Sequence, residues 1–334
     1  MIISRTPFRI SFLGGGTDYP QWSDEHGGAV LAATINRYCY ISCRRLPPFF
    51  DHKYRIIYSK VENTKSIDEI QHPSVRATLN YFSCHEGLEI HHDADLPARS
   101  GLGSSSAFTV GLVNAINAMQ GKDSHAEALA KLAIHIEQDI IKEAVGSQDQ
   151  VLAAHGGFNQ IEFLKNRNFK ISPMILKKDR SDLFQRHLML FFTGFSRFAP
   201  EIAKSKIENF SHKKEELTAL YHMVDEGISI LKNESIDLLE FGSLLNRAWR
   251  YKRSLSVKVS TPEIDLIYEK AIKEGAVGGK LLGAGGGGFI LFFVAPEKQE
   301  AVREAFSHLI HVPFQFENQG SRIVLYQPNG LSEI

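Results

Sequence analysis

Cysteine is scarce in this chain, net charge is absent, and no apolar run is long. Three cysteines, Cys39, Cys43 and Cys84, occur among 334 residues. An odd number cannot all pair, and their spacing offers no zinc-type partner set, so they read as buried reduced thiols. Lys plus Arg (38) equals Asp plus Glu (38). That balance leaves no global field to hold nucleic acid or an anionic membrane, so any anion recognition must be local. The longest strongly apolar run, Phe289 to Ala295, falls far short of a bilayer. The first residues, Met-Ile-Ile-Ser-Arg-Thr-Pro, hold no apolar core of signal-peptide length. The expectation is a cytoplasmic protein, monomer or homodimer, whose partners are small molecules. Internal repeats and low-complexity tracts are missing as well.

Glycine, in contrast, is concentrated in three places. The most informative is Pro97-Ala-Arg99-Ser100-Gly101-Leu102-Gly103-Ser104-Ser105-Ser106, which runs into a helical pattern carried by Phe108, Leu112, Ile116 and Met119. A helix N-terminus presents unpaired N–H groups and partial positive charge. Glycines let the backbone wrap an anion closely, and hydroxyls at the junction can reach a phosphate or a magnesium ion. The segment reads as a polyphosphate cradle; a serine-capped helix that binds nothing is its rival. Thr6 to Pro20 contains Gly14-Gly15-Gly16-Thr17-Asp18, and Gly279 to Phe289 contains Gly283-Ala284-Gly285-Gly286-Gly287-Gly288. Walker A needs a lysine and a hydroxyl after its final glycine, whereas Phe289 and Ile290 follow Gly288. A dinucleotide fingerprint fails too, because Ser106 stands where the third glycine or alanine belongs and no buried strand precedes the loop.

In that order the three segments resemble the GHMP kinase superfamily, and the middle one matches its Pro-x-x-x-Gly-Leu-Gly-Ser-Ser loop at every fixed position. Together they reach from residue 5 to residue 293. Within the superfamily the pattern is most similar to the D-glycero-D-manno-heptose 7-phosphate 1-kinase branch, on Arg5 to Pro20, Pro97 to Ser106 and Val145-Gly-Ser-Gln-Asp-Gln150. Fucokinase-type domains share much of it. The resemblance implies an α+β chain of two domains: a ribosomal-protein-S5-domain-2-like part over residues 1–180 and a ferredoxin-like part over 181–334, with the site between them. It further implies ATP, Mg²⁺ and transfer of a phosphoryl group to the C1 hydroxyl of a sugar phosphate, for nucleotide-activated heptose and surface polysaccharide synthesis. A free-sugar kinase is the nearest alternative, and a catalytically silent ligand sensor is the alternative of another class.

The same resemblance assigns residues. Pro97 to Ser106 would hold ATP. Ser105 and Glu137 would hold the metal, Glu137 standing twelve residues before Asp149 and at the edge of the apolar stripe Leu129, Leu132, Ala133, Ile136, Ile140. Asp149 would accept or orient the acceptor's proton. Arg9, alternating with Phe8 and Ile10, would face the cleft and stabilise developing charge. Gly15, Gly16, Thr17, Asp18, Gly283, Ala284, Gly285 and Gly286 would contact the sugar. Gly15-Gly16 stands where galactokinases carry Glu-His, which disfavours galactose. For the acceptor's own phosphate, Arg197 is the candidate, with Arg99 and the 250–253 run as others; Arg250, Lys252 and Arg253 read mainly as a solvated helix face.

Patterning predicts strands over residues 2–4, 8–13, 29–36, 38–44, 54–59 and 88–93, then helices near 107–120 and 125–143. Strands return at 156–164, 171–176 and 187–193. Helices are expected near 200–230, 235–255, 262–274 and 297–309, with strands at 289–294, 312–316 and 322–326. Elements of each kind segregate rather than alternate, which favours α+β.

Overall fold

The computed structural model describes residues 1–98, 100–194 and 199–328. The fold is α+β, built on two sheets. The first half contains β1 (Ile2–Leu13), α1 (Pro20–His26), β2 (Gly28–Arg45), β3 (Tyr54–Ile57), β4 (Val61–Thr64), α2 (Pro73–Tyr81) and β5 (Leu88–Ala94). It continues with α3 (Ser104–Met119), α4 (Ala126–Ile134), a π-helical turn (His135–Ile140), α5 (Gln148–His155), β6 (Phe158–Phe163) and β7 (Phe169–Pro173). The second half contains α6 (Lys178–Arg186), β8 (Leu188–Phe192), α7 (Ala199–Asn209), α8 (Lys214–Lys232), α9 (Leu239–Ser254) and α10 (Pro262–Lys273). Then come β9 (Ala276–Leu281), β10 (Phe289–Val294), α11 (Gln299–Ala305), β11 (Ile310–His311), β12 (Phe316–Glu317) and β13 (Arg322–Tyr326).

In the larger sheet the strands run β13-β1-β2-β5-β3-β4, with β6 and β12 also on β2 and β7 on β6. All its pairs are antiparallel except β3 with β5. Pro7 is tolerated inside β1 because the register with β2 shifts between Pro7 and Phe8, where no ladder donor is required. Phe8, Ile10 and Phe12 are buried in alternation with Arg9 and Ser11. The Phe12 ring meets Phe158, Phe184, Phe241 and Phe316 edge-on, which ties β1 to elements from both halves. The smaller sheet, β11-β8-β10-β9, is entirely antiparallel, and every residue of β10 is buried.

Several expectations need correction. The strands expected at 2–4 and 8–13 are one continuous β1, and those at 29–36 and 38–44 are one β2. The charged run at 177–182, expected as a boundary, forms the start of α6, and β12 and β13 rejoin the first sheet instead of completing the second. Burial explains both: Phe184 is fully enclosed, and Phe316 packs in the Phe12 cluster. The helix expected over 125–143 passes into the π turn and stops, and α5 follows as a separate element. The helix expected over 200–230 is two, α7 and α8. Helix α2 and strands β4 and β9 went unforeseen because they are short or glycine-containing. Cys39 and Cys43 are buried free thiols, with Cys84 half-buried; burial pushes all three thiols up from their ordinary range. Among the described residues, no helix is long and apolar enough to cross a membrane.

Candidate active site

Backbone contacts pin the 97–106 loop on two sides. The amide of Arg9 in β1 donates to Leu102 O at 3.0 Å, and Arg9 Nη1 donates to Gly101 O at 2.6 Å. From the other side comes the 282–289 loop: Phe289 N donates to Ser100 O, and Gly101 and Gly283 stack backbone to backbone. A Cβ on Gly101 would stand 2.6 Å from Leu282 O, and one on Gly283 would stand 2.4 Å from Gly101 Cα. Both positions also have positive φ, so glycine is required twice over. Gly103, in the left-handed region, opens α3. The first-turn amides of α3 therefore face outward from a loop held rigidly behind, which suits a phosphate chain. Pro97 and Ser105 are exposed, Ser104 is half-buried and Ser106 is buried. Arg99 and Arg197 lie outside the described residues.

Arg9 and Asp149 meet end-on. Nε donates to Oδ1 and Nη2 donates to Oδ2, each at 2.7 Å. Arg9 is 4% exposed, while the Asp149 side chain keeps 25% of its surface open. Each carboxylate oxygen retains a lone pair after this bidentate contact, so Asp149 can still accept a hydroxyl from the open side. The site for a Cβ on Gly103 lies 3.4 Å from the Asp149 carboxyl. The pair thus sits directly against the phosphate loop.

Glu137 is fully buried in the π turn, a rare helical form that often marks functional sites. Its Oε2 accepts hydrogen bonds from Ser106 Oγ (2.9 Å) and from Gln150 Nε2, while Oε1 has no hydrogen-bond partner among the described residues. Desolvation pushes its carboxyl up to about 7, helped by Glu143 and opposed by Thr109, Gln150 and Ser106. An orphaned buried carboxylate oxygen beside a serine hydroxyl fits an oxygen-loving divalent cation. Ser106 makes the hydrogen bond to Glu137, while Ser105, expected as a metal ligand, is exposed in the first turn of α3. Among the described residues no group of three His, Cys, Asp or Glu could hold a metal by itself, so such an ion would draw further ligands from the nucleotide.

The first glycine-rich turn is tightly braced. The single hydroxyl proton of Thr17 is shared between Gly14 O and Ala29 O, and Oγ1 accepts from Ala29 N, so the hydroxyl is engaged within the turn. Asp18, 1% exposed, accepts from Gly16 N and from Gln148 Nε2, each at 2.9 Å. Burial raises its pKa, with Asp149 adding repulsion. Gly15 is half-buried beside Ser11 and Gln148, whose buried Oγ and Oε1 have no partner among the described residues. Gly285 and Gly286 pack on Val259, and Ala284 is half-buried.

Three buried lysines complete the cluster; sequence reasoning missed Lys206 and Lys280 and had Lys252 only in a run read mainly as solvated. Lys252 is enclosed, not solvated: Nζ donates to Leu281 O (2.7 Å) and Gly283 O (2.8 Å). Lys280 Nζ donates to Phe12 O at 2.8 Å. Lys206 Nζ lies 3.4 Å from Tyr19 Oη and 5.0 Å from the centre of its ring. Desolvation pulls Lys206 down to about 8 and Lys280 to about 7, and pulls Lys252 far down as well. A signal was present in the helix stripes: Ile202, Ala203, Lys206 and Phe210 share a face, as do Ala248, Trp249, Lys252 and Leu255. Arg250 and Tyr251 are the outward members of the run, and half-buried Arg253 pairs with Asp265.

A phosphate cradle, a braced carboxylate and a buried acidic pocket under one loop define a phosphotransferase of the nucleotide-dependent kinase class. The GHMP kinase N-terminal domain matches residues 71–157, and the GHMP kinase C-terminal domain matches residues 229–310. The chain belongs to the GHMP kinases, and it is an ATP-dependent sugar kinase with an alcohol group as acceptor. It is 32% identical over 310 residues to the D-glycero-alpha-D-manno-heptose 7-phosphate kinase of Campylobacter jejuni, covering 89% of this chain and 91% of that one. It is 28% identical to the L-fucokinase/L-fucose-1-P guanylyltransferase of Bacteroides fragilis, covering 91% of this chain and 35% of that one. Among solved structures, a D-glycero-D-manno-heptose 1-phosphate kinase from Bacteroides thetaiotaomicron superposes with a TM-score of 0.78 at 25% identity, covering 97% of this chain and 98% of that one.

Proposed function

We propose that this kinase phosphorylates the anomeric C1 hydroxyl of D-glycero-D-manno-heptose 7-phosphate, giving the 1,7-bisphosphate for nucleotide-activated heptose synthesis. The observation that carries this reading is the bidentate Arg9–Asp149 pair set against Gly103 of the phosphate loop. Residues 100–106 cradle the nucleotide phosphates. Asp149 accepts the C1 hydroxyl and aligns its oxygen with the γ-phosphoryl. Arg9 holds the carboxylate in place and stabilises charge as the phosphoryl moves. Glu137, with Ser106 or Ser105, would hold Mg²⁺, which when bound neutralises charge on the phosphate oxygens. The acceptor oxygen attacks directly and in line, and no covalent enzyme intermediate forms.

ADP release measured across a panel of sugars and sugar phosphates, with the product resolved by phosphorus NMR, tests the assignment. Heptose 7-phosphate should be the preferred acceptor and should gain one anomeric phosphate. Preference for L-fucose would remove the heptose assignment while leaving the kinase class intact.

A further inference from the structure

Three ammonium groups stand in the interior with more donors than acceptors. Lys206, Lys252 and Lys280 are 3%, 6% and 4% exposed. When all three are protonated they carry nine N–H donors; among the described residues three of these meet carbonyl oxygens within 2.8 Å, and a fourth reaches toward Tyr19 Oη at 3.4 Å. Buried donors normally find partners, and buried charges are normally paired. Arg9 and Asp149 satisfy each other, and among the described residues Asp18 is the carboxylate coupled to all three lysines.

Position separates these groups from the nucleotide cradle. The phosphate loop is anchored at Arg9. Lys280 reaches β1 at Phe12, three residues further along, and Lys206 lies over Tyr19 beyond the Gly14–Gly16 turn. Three residues of strand span roughly 10 Å, comparable with the reach from C1 of a heptose to a phosphate on its far carbon. Lys252 spends two donors holding the 282–289 loop, so Lys206 and Lys280 are the groups with most capacity to spare.

We propose that the ammonium groups of Lys206 and Lys280 form a second anion site that holds a phosphate monoester on the sugar acceptor. The proposal rests on the sugar-kinase function and deepens it: the enzyme takes phosphorylated sugars because a buried, under-satisfied cation pair waits for a dianion with three acceptor oxygens.

The test compares kcat/KM for heptose 7-phosphate and for the same heptose without phosphate, at saturating ATP, in the native enzyme, Lys206→Met and Lys206→Arg. The native enzyme should prefer the phosphorylated sugar. Lys206→Met should cut that selectivity ratio about 10- to 100-fold, and Lys206→Arg should restore part of it. The melting temperature of Lys206→Met without ligand should not fall, because an apolar isostere of an unpaired buried charge is neutral or stabilising. An unchanged ratio, an equal loss on both acceptors, or a fallen melting temperature with selectivity intact overturns the site. If the native enzyme turns over another sugar instead, the heptose assignment fails alone. The anion site is then read on the phosphorylated and unphosphorylated forms of that sugar, and a native preference for the unphosphorylated form overturns it.

Discussion

The loop at residues 100–106 and the lysine cluster beyond the Gly14–Tyr19 turn both serve anions under the proposed assignments, yet they are built from opposite materials. The loop uses backbone amides and neutral side chains, and Gly101, Gly103, Ser104 and Ser105 remain open to water. Empty, its donors are hydrated at little cost. The cluster uses full charges enclosed to within a few per cent. Empty, it is strained electrostatically, and its ammonium groups yield by giving up protons more readily. A solvent-facing cradle tolerates exchange of nucleotide at every turnover, whereas an enclosed cation pair discriminates strongly between charged and neutral acceptors.

The largest expected effect lies where the two regions meet. Asp149→Asn should lower turnover about 10²- to 10⁴-fold, while calorimetric ATP affinity changes little, since the loop's anchors from Arg9 to Gly101 and Leu102 persist. Unchanged turnover would remove Asp149 from the chemistry and with it the bridge between cradle and acceptor.

A smaller effect probes the cradle's rigidity. Gly101→Ala forces a Cβ against Leu282 O at positive φ and should cost about 2–3 kcal/mol in urea unfolding. Gly121→Ala makes the matched control, because φ is also positive there but nothing lies within 4 Å, so only about 1 kcal/mol is expected. Equal losses at the two positions would mean that the close approach of the loops carries no stability.

A last effect is a slope. In the unfolded chain Lys280 keeps its proton to about 10.5, and in the folded protein only to about 7. Folding therefore expels a proton between those values, so this contribution to stability rises with pH from about 7 to about 10.5 and has been lost once pH has fallen to about 7. The melting temperature of the unliganded protein should gain less between pH 7 and pH 9.5 in Lys280→Met than in the native chain. Identical gains would show that the Lys280 ammonium is not penalised by its surroundings.

How much of this was legible beforehand differs by residue. Gly101, Gly103 and the serines announce a helix-opening cradle because their chemistry is local, and the α3 pattern begins within a residue or three of its expected start. Arg9, Glu137 and Asp149 were reached through motif resemblance, and their spacing alone would not have joined β1 to α5. Thr17 looked like a sugar contact, but its hydroxyl proved to be occupied by Gly14 and Ala29, partners that a one-dimensional pattern cannot display. Lys252 looked solvated because the residues beside it, Tyr251 and Arg253, reach the surface.

The amino-acid order by itself determined the strands of β-branched and aromatic residues, the helix stripes, and the places where only glycine lets two backbones touch. Each of these depends on neighbours a few positions away. Tertiary structure alone decided that β12 and β13 close the first sheet, that Ser106 rather than Ser105 meets Glu137, and that three lysines face inward around Asp18. Those outcomes depend on which surfaces are removed from water together, and desolvation acts on assembled neighbourhoods rather than on segments of chain.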